Sequence, residues 1–382
     1  MIFSLISLFY YFLFINGFHK SYMQRPKKHN LYMSNKYLFA NEYIEFYNKF
    51  KKPFLLSNEG KESKEKFIEK NIEKYKMFEK NLKYINETNL ILEEENNSFS
   101  LSINKYADSV DFDDNIACDL MNTPIDDKFR PQAYLKIFHT PYPYLETIFN
   151  QNIQLTYNWN NTDLLSEVKN QERCGSCWAF STTNALETFM RINNYNITRL
   201  SEQELVDCSS ENNGCDGGLM HLAFDYIKKN GGLSFHNKYP YVAKTQNCSS
   251  KGLPKAYGSH LSDYHFTIPK SLTDMKLNVI RTPICIALDA NNIFFRFYKE
   301  GVIDINQNLN GTLNHAVLLV GFDYDEKGMY WVIQNSWGKD WGDQGFCKIR
   351  AIPGDGVLLC QLYGVYPTNI YNPSKDRLNY SI

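Results

Sequence analysis

The sequence carries almost no net charge: 41 Lys+Arg stand against 42 Asp+Glu, a formal −1 over 382 residues. Proteins that bind nucleic acid through its phosphates usually show a basic excess, so nucleic acid is not expected as a partner. The N-terminal apolar run, Met1 to Ile15, is uncharged but falls short of the roughly 20 residues that cross a bilayer comfortably. Internal repeats are absent, and so are low-complexity tracts beyond a Lys/Glu bias. The Cys174-Gly-Ser-Cys177 pair has no second Cys/His cluster to complete a four-ligand zinc site. No metal and no cofactor is therefore expected. A hydrophobic fraction of 43% and a charged fraction of 22% exclude a disordered, collagen-like or polytopic membrane chain.

What is present begins with nine cysteines. The number is odd, so in an oxidising compartment at least one is free, paired between chains, or reactive. The run Met1 to Ile15 fits the apolar core of a signal peptide, with Gly17 as the small residue at a cleavage point. Lys20, Arg25, Lys27 and Lys28 follow the run instead of preceding it, and an uncleaved anchor is the alternative. Either way the chain enters the secretory route, where disulfides form, bound for a lysosome-like acidic vacuole or the exterior. Asn-x-Ser/Thr sequons begin at Asn86, Asn96, Asn160, Asn196, Asn247, Asn310 and Asn379, so glycosylation is open to it.

The length suggests two or three domain-sized units, and the texture changes along the chain. Residues from about 37 to 95 are rich in Lys and Glu. Tyr75, Phe78, Leu82, Ile85 and Asn89 fall at helical spacing and predict an amphipathic helix. From Cys118 to about Pro143 there is no clean period, which reads as an extended linker. Cysteine, glycine and tryptophan become frequent after about Ile153. The run after Ser176-Cys177 is apolar nearly all round, as a buried helix would be. Ser201-Glu-Gln-Glu204 is a capping box, and Leu219 to Lys229 reads as a helix stopped by Asn230-Gly231-Gly232. Strand patterns follow: HAVLLVGFDYD, MYWVIQNSW and GFCKIR. Helices first and antiparallel strands afterwards predict an α+β fold split into a helical and a sheet lobe, and the interface of two such lobes is a common place for a site.

The densest chemical signal is Gln171-Glu-Arg-Cys174-Gly-Ser-Cys177-Trp178. The two cysteines fit a zinc half-site or redox pair, a pair of structural disulfides, or a nucleophile at a helix N-terminus. That last position favours a thiolate, because unpaired N–H groups and the helix dipole stabilise it. A thiolate nucleophile needs a base, a group to orient the base, and an oxyanion site. His315 starts a strand 138 residues downstream, and Asn335 closes the next strand. Adjacent strands can bring the two side by side. Gln171 has an amide N–H to offer an oxyanion. Alone, each of these residues would be structural; their conjunction points to catalysis.

These motifs resemble the papain-like cysteine proteases, most closely the cathepsin L-like branch. The resemblance runs from Asn158-Trp159 to Tyr366-Pro367 and rests on Gln171 to Trp178, Gly214-Cys-Asp-Gly-Gly-Leu-Met220, Asn314-His-Ala-Val317 and Asn335-Ser-Trp-Gly-Lys-Asp-Trp341. It implies the two-lobe fold of that family, with the active-site cleft between the lobes. It implies Cys177 as nucleophile, His315 as its ion-pair partner, Asn335 as the group orienting His315 beneath Trp337, and Gln171 in the oxyanion hole. By the same resemblance Gly217 and Gly218 pair with an extended substrate backbone. Leu219, Met220, Leu313 and Ala316 line an apolar pocket for the second substrate residue before the cut, and Trp337 borders the substrate. Implied disulfides are Cys174–Cys215 and Cys208–Cys248. The family's usual third bridge would end at Cys360, but Ile303 to Asn310 holds no cysteine; Cys347 is one candidate substitute, and the sequence leaves the partner of Cys360 open.

The upstream region resembles the family's inhibitory propeptide. Phe78, Asn81, Ile85 and Asn89 keep its helical spacing, and Ser102-Ile-Asn104-Lys-Tyr106-Ala-Asp108 its second motif. Lys70 and Lys74 stand where Glu and Arg are usual. The expected division is 1–17 signal peptide, 18–152 propeptide and 153–382 peptidase. Expected partners are protein or peptide substrates, the chain's own propeptide, and cystatin-type inhibitors. Glu172-Arg173 occupies positions usually held by small residues, and the stretch from Cys360 to Tyr366 is about two residues short, leaving the pocket floor unassigned. A paired-histidine loop of the cathepsin B kind is missing, which favours endopeptidase action. The rival readings are a non-proteolytic, peptide-binding scaffold and a Cys174/Cys177 redox protein. The intact Cys, His, Asn and Gln argue against the first, and Trp178 following the second cysteine argues against the other.

Overall fold

The computed structural model describes residues 37–51, 64–109, 155–195, 199–305 and 311–370. The N-terminal apolar run, Cys118, the linker toward Pro143, the sequons at Asn196, Asn310 and Asn379, and the tail from residue 371 lie outside the described residues. The chain divides into Met1–Ala40 and Asn41–Ile382, and the architecture below is that of the second unit.

The Lys/Glu-rich region forms three helices, α1 (Ala40–Phe50), α2 (Lys64–Lys70) and α3 (Ile72–Glu94). The helix expected around Tyr75 to Asn89 is α3. It buries Tyr75, Phe78, Asn81, Ile85, Thr88 and Leu92 along one stripe, the outcome of apolar residues recurring every three or four positions. Aromatic rings hold α1 to it: Tyr43 lies 5.4 Å from Tyr75 and 5.2 Å from Phe78. The two asparagines of the spaced motif tie down the chain that follows. Asn81 Nδ2 donates to the Ala107 carbonyl at 2.8 Å. Asn89 pairs with the backbone of Leu101 in both directions, at 2.9 and 2.8 Å. Leu101 belongs to β1 (Ser100–Leu101).

The peptidase part opens with β2 (Tyr157–Asn158). Its helical half is α4 (Cys177–Ile192), α5 (Glu202–Cys208) and α6 (Met220–Asn230). As its composition predicts, α4 is buried at nearly every position. Ser201 caps α5 by accepting the Glu204 N–H. The Glu204 carboxylate does not return to the cap; it accepts from Tyr226, Asn230 and the Ser234 N–H and pairs with Lys255. Half of the capping box is thus diverted to tertiary structure. Gly231, left-handed at φ 68°, ends α6, a conformation glycine adopts without strain.

The sheet half follows as β3 (Leu261–Phe266), α7 (Leu272–Val279), β4 (Ile284–Leu288), α8 (Ile293–Arg296), β5 (Tyr298–Glu300), β6 (Val302–Ile303), β7 (His315–Asp325), β8 (Gly328–Gln334), β9 (Phe346–Arg350) and β10 (Gly364–Ile370). The main sheet has the order β3-β10-β4-β7-β8-β9-β6, with β2 also on β7. Neighbours are antiparallel except β6 and β9, which are parallel. β7 is buried at every position from His315 to Phe322, so it reads as a continuous apolar run. The halves are joined by polar contacts as well as packing. Ser181 of α4 donates to the Val317 carbonyl at 2.8 Å, and Asn184 to Gln334 Oε1 at 3.1 Å.

Cys174–Cys215 and Cys208–Cys248 are disulfides, closing loops of 41 and 40 residues, and each stabilises by roughly 3–4 kcal/mol in the chain-entropy model. Cys347 does not replace the missing partner of Cys360; both are buried free thiols, as is Cys285. Burial pushes the Cys285 and Cys360 thiols up to about 12. Burial and the neighbouring Cys360 raise Cys347 well above the ordinary thiol range. The sequons at Asn86, Asn96, Asn160 and Asn247 all lie on exposed residues.

Candidate active site

Cys177 is the first residue of α4, preceded by Ser176, so its sulfur sits where the helix leaves its N–H groups unpaired within the helix. His315 is the first residue of β7, and Asn335 follows the last residue of β8. The β7–β8 register pairs Leu318 with Gln334, which carries His315 and Asn335 to the same end of the sheet. The Cys177 sulfur accepts the Ala316 N–H at 3.1 Å, placing it one residue from His315. Cys177, His315, Asn335 and Gln171 are all buried.

Asn335 Oδ1 accepts from His315 Nε2 at 2.8 Å and from the Ser336 N–H at 2.8 Å. An acceptor on that side puts the imidazole proton on Nε2 and leaves Nδ1 as the basic nitrogen. His315 Nδ1 is buried without a hydrogen-bond partner among the described residues. Trp337 lies over the imidazole with ring centroids 4.8 Å apart, and Phe295 meets it edge-on at 5.9 Å. Gln171 is clamped: its Oε1 accepts from Ser336 Oγ at 2.7 Å, its N–H donates to the Ser336 carbonyl at 2.8 Å, and its own carbonyl accepts from Tyr241 at 2.7 Å. Its Nε2 donates to the Cys174 carbonyl at 3.0 Å, which takes one of two amide protons.

The resemblance expects a reactive thiol at Cys177, and the other described cysteines are joined to one another or free. Burial pushes His315 down from 6.5 to about 4, against the opposing effect of its Asn335 hydrogen bond. The folded state thus holds His315 neutral where an unfolded chain would protonate it. Stability from this group is complete above pH 6.5 and is lost as pH falls from 6.5 to 4, a loss on the order of 3 kcal/mol. Denaturant midpoints measured across that window should fall, and fall less in His315→Gln. Equal slopes for the two proteins would rule this out.

Gly217 has φ 114°, a conformation open chiefly to glycine. A Cβ on Gly218 would lie 2.5 Å from Asn212 Oδ1 and 2.9 Å from the Trp178 ring. Leu219, Met220, Leu313 and Ala316 belong to one apolar cluster. Three residues that carry no sequence motif adjoin them. Ala287 faces Ala316 across β4 and β7. Tyr363, from the shortened stretch, accepts the Ala287 N–H through its carbonyl at 3.3 Å, and its hydroxyl meets His221 Nδ1 at 2.9 Å. Tyr241 bridges the Gln171 carbonyl and Ser176 Oγ. The short spacing from Cys360 to Tyr366 is the signal that could have drawn attention to Tyr363.

The residues before the peptidase part lie against this same region. β1 pairs with β5, Ser100 with Glu300 and Leu101 with Tyr298. Ser102 N–H donates to the Phe297 carbonyl at 2.8 Å, Asn104 Nδ2 to the Arg296 carbonyl at 2.7 Å, and Tyr106 meets Trp337 edge-on at 5.0 Å. Gly301 has no room for a Cβ, which would run into the backbone of Ser98 and Phe99.

A cysteine and a histidine at a lobe interface, with an amide behind the histidine, supply the groups that a cysteine peptidase needs. The family model described as "Papain family cysteine protease" matches residues 153–358, and the chain belongs to that family, as a papain-like cysteine endopeptidase of the cathepsin L-like kind. It is 35% identical over 324 residues to Cathepsin L1 of Drosophila melanogaster, covering 81% of each chain. It is 34% identical to Cysteine proteinase 1 of Dictyostelium discoideum over 356 residues, 86% of this chain and 92% of the relative. Digestive procathepsin L2 from the larval midgut of Tenebrio molitor superposes with a TM-score of 0.70 at 26% identity, covering 86% of this chain and 99% of that one. The match to a proform extends the likeness across the upstream helices and supports a zymogen.

Proposed function

We propose that the chain is a secretory-route zymogen whose residues 1–17 are a signal peptide, 18–152 an inhibitory propeptide and 153–382 an endopeptidase with a Cys177–His315–Asn335 mechanism. The Cys177 thiol gives its proton to His315 Nδ1. The thiolate attacks the scissile carbonyl carbon. Gln171 Nε2 and the Cys177 N–H hold the oxyanion in the vacated cleft. The C–N bond breaks as His315 returns the proton to the leaving amine. Water, deprotonated by His315, then hydrolyses the thioester. Asn335 keeps the imidazole in the tautomer that this sequence of transfers requires.

Gly217 and Gly218 offer bare backbone to an extended substrate, and Leu219, Met220, Leu313 and Ala316 favour an apolar side chain two residues before the cut. The destination is an acidic vacuole or the exterior, and cystatin-type inhibitors are expected to compete for the cleft. The observation that carries the reading is the meeting of sulfur, imidazole and amide at one point: Ala316 N–H to Cys177 Sγ at 3.1 Å and His315 Nε2 to Asn335 Oδ1 at 2.8 Å.

The test is to acidify the purified zymogen. Labelling by an epoxide thiol trap should rise together with cleavage of a peptide carrying an apolar residue at that position. No gain of labelling on acidification counts against the zymogen assignment, and labelling unaffected by Cys177→Ala counts against the nucleophile.

A further inference from the structure

Next to the catalytic groups, a lysine of the upstream segment occupies a receptor built by the peptidase part. Lys105 Nζ donates to Asn170 Oδ1 at 2.9 Å. Its ammonium also lies 5.0 Å from the centroid of its neighbour Tyr106, the ring that packs on Trp337. Burial pushes the Lys105 ammonium down to about 8, while Asp340 and then Glu172 act in the opposite direction and favour its charge. The other cation acting on it, Lys51, also comes from the upstream segment. Arg173 and Lys339 are the peptidase's own adjoining cations in the chain.

The receiving groups come from two separate strands of chain. Asn170 and Glu172 flank Gln171, and Asp340 lies three residues beyond Trp337. A backbone bridge between Asn170 and Trp337 joins them. Asn170 Oδ1 also accepts the Glu172 N–H at 3.2 Å, which fixes the amide oxygen as an acceptor. Glu172 itself is held at φ 56°, so its rim position is set by the backbone. Both carboxylates are exposed. The occupant distinguishes this arrangement from a mere pair of surface acids, because a lysine ammonium is hydrogen-bonded to the Asn170 amide oxygen beside Glu172.

The peptidase reading supplies the direction. His315 returns its proton to the departing amine, and its ring leans on Trp337. The wall around Trp337 therefore borders the departing half of the substrate. A cation receptor recognises a side-chain head and is indifferent to which way the backbone runs. Resting on that reading, we infer that Asn170, Glu172 and Asp340 form a subsite for a lysine or arginine side chain of the substrate, on the C-terminal side of the scissile bond, with Lys105 as its occupant in the zymogen.

The experiment uses activated enzyme and quenched peptides identical before the cut, with Lys, Ala or Glu placed in turn at each of the first few positions after it. At one of those positions, kcat/KM for Lys should exceed that for Ala by roughly threefold to tenfold, as expected for two partly screened charge pairs. Glu should be poorer than Ala, and the spread should shrink as salt is added. In Glu172→Gln/Asp340→Asn the Lys-to-Ala ratio should fall to about one. Equal rates for the three peptides at every position would overturn the subsite, as would a Lys preference that survives the double substitution. Failure to cleave any of the peptides would overturn the peptidase reading and the subsite with it.

Discussion

Cys177→Ala should eliminate peptide cleavage while leaving a folded protein. Loss of a nucleophile that acts together with its base costs on the order of 10⁴–10⁶ in turnover, because the acyl-enzyme has no atom on which to form. The structural cost is far smaller. Alanine is a better helix former than cysteine and fits at the buried start of α4 without steric conflict. The Cys174–Cys215 and Cys208–Cys248 bridges remain. What is lost is the acceptor for the Ala316 N–H; leaving that donor unsatisfied costs about 1–3 kcal/mol. Turnover of an apolar peptide and thermal unfolding, measured on the same preparation, separate the two effects. Peptidase activity retained by the variant would sink the assignment.

Lys169→Met should be the most damaging substitution for stability outside the apolar core. The Lys169 ammonium is wholly buried, 2.7 Å from Glu187 Oε1 and 2.6 Å from Glu202 Oε1, and both carboxylates are equally buried. Each acid has further partners. Glu187 accepts the Leu200 N–H and the Ser166 hydroxyl, and Glu202 meets Arg199 and His236. Burial works against the charge on Glu202, yet Lys169 foremost, with His236 and Arg199, holds it well below the ordinary carboxylate range. Methionine fills the stem but leaves two anions facing each other with no cation between. Breaking a buried pair in this way costs about 3–5 kcal/mol. The sign with pH follows. Glu202 loses the foremost group that holds its pKa down and binds a proton more readily as pH falls, so the deficit relative to the natural protein should be largest near neutrality and shrink in acid. Denaturant midpoints for the two proteins at several pH values check this. A deficit independent of pH would show that lost packing, not uncompensated charge, is the cause.

Where the sequence could be read, local chemistry decided the outcome. The apolar circumference of α4, the Ser201 cap and the Asn230-Gly231 stop each depend on neighbours within a few residues, and each appears at the expected place. The meeting of His315 and Asn335 was also legible, since two consecutive antiparallel strands joined by a tight turn return the chain to the same end of the sheet. Strands β3, β4 and β10 were not foreseen. β10 owes its pairing to two strands far away in the chain. Tyr363 and Tyr241 were missed for a related reason: neither carries a local motif, and each is defined by a contact with a distant segment.

Besides the side-chain contacts of Asn104, Lys105 and Tyr106, the seam between the upstream segment and the peptidase has a main-chain part. That part consists of the β1–β5 pairing, the Ser102 N–H on the Phe297 carbonyl, and the close approach to Gly301. Amide hydrogens and carbonyls are common to all residues but proline. In this main-chain part the contacts do not depend on which side chain the upstream residue carries, whereas the glycine on the enzyme side cannot be replaced. For a synthetic blocker patterned on this strap, the backbone is the pharmacophore: methylating the Ser102 nitrogen removes a donor that no choice of side chain restores.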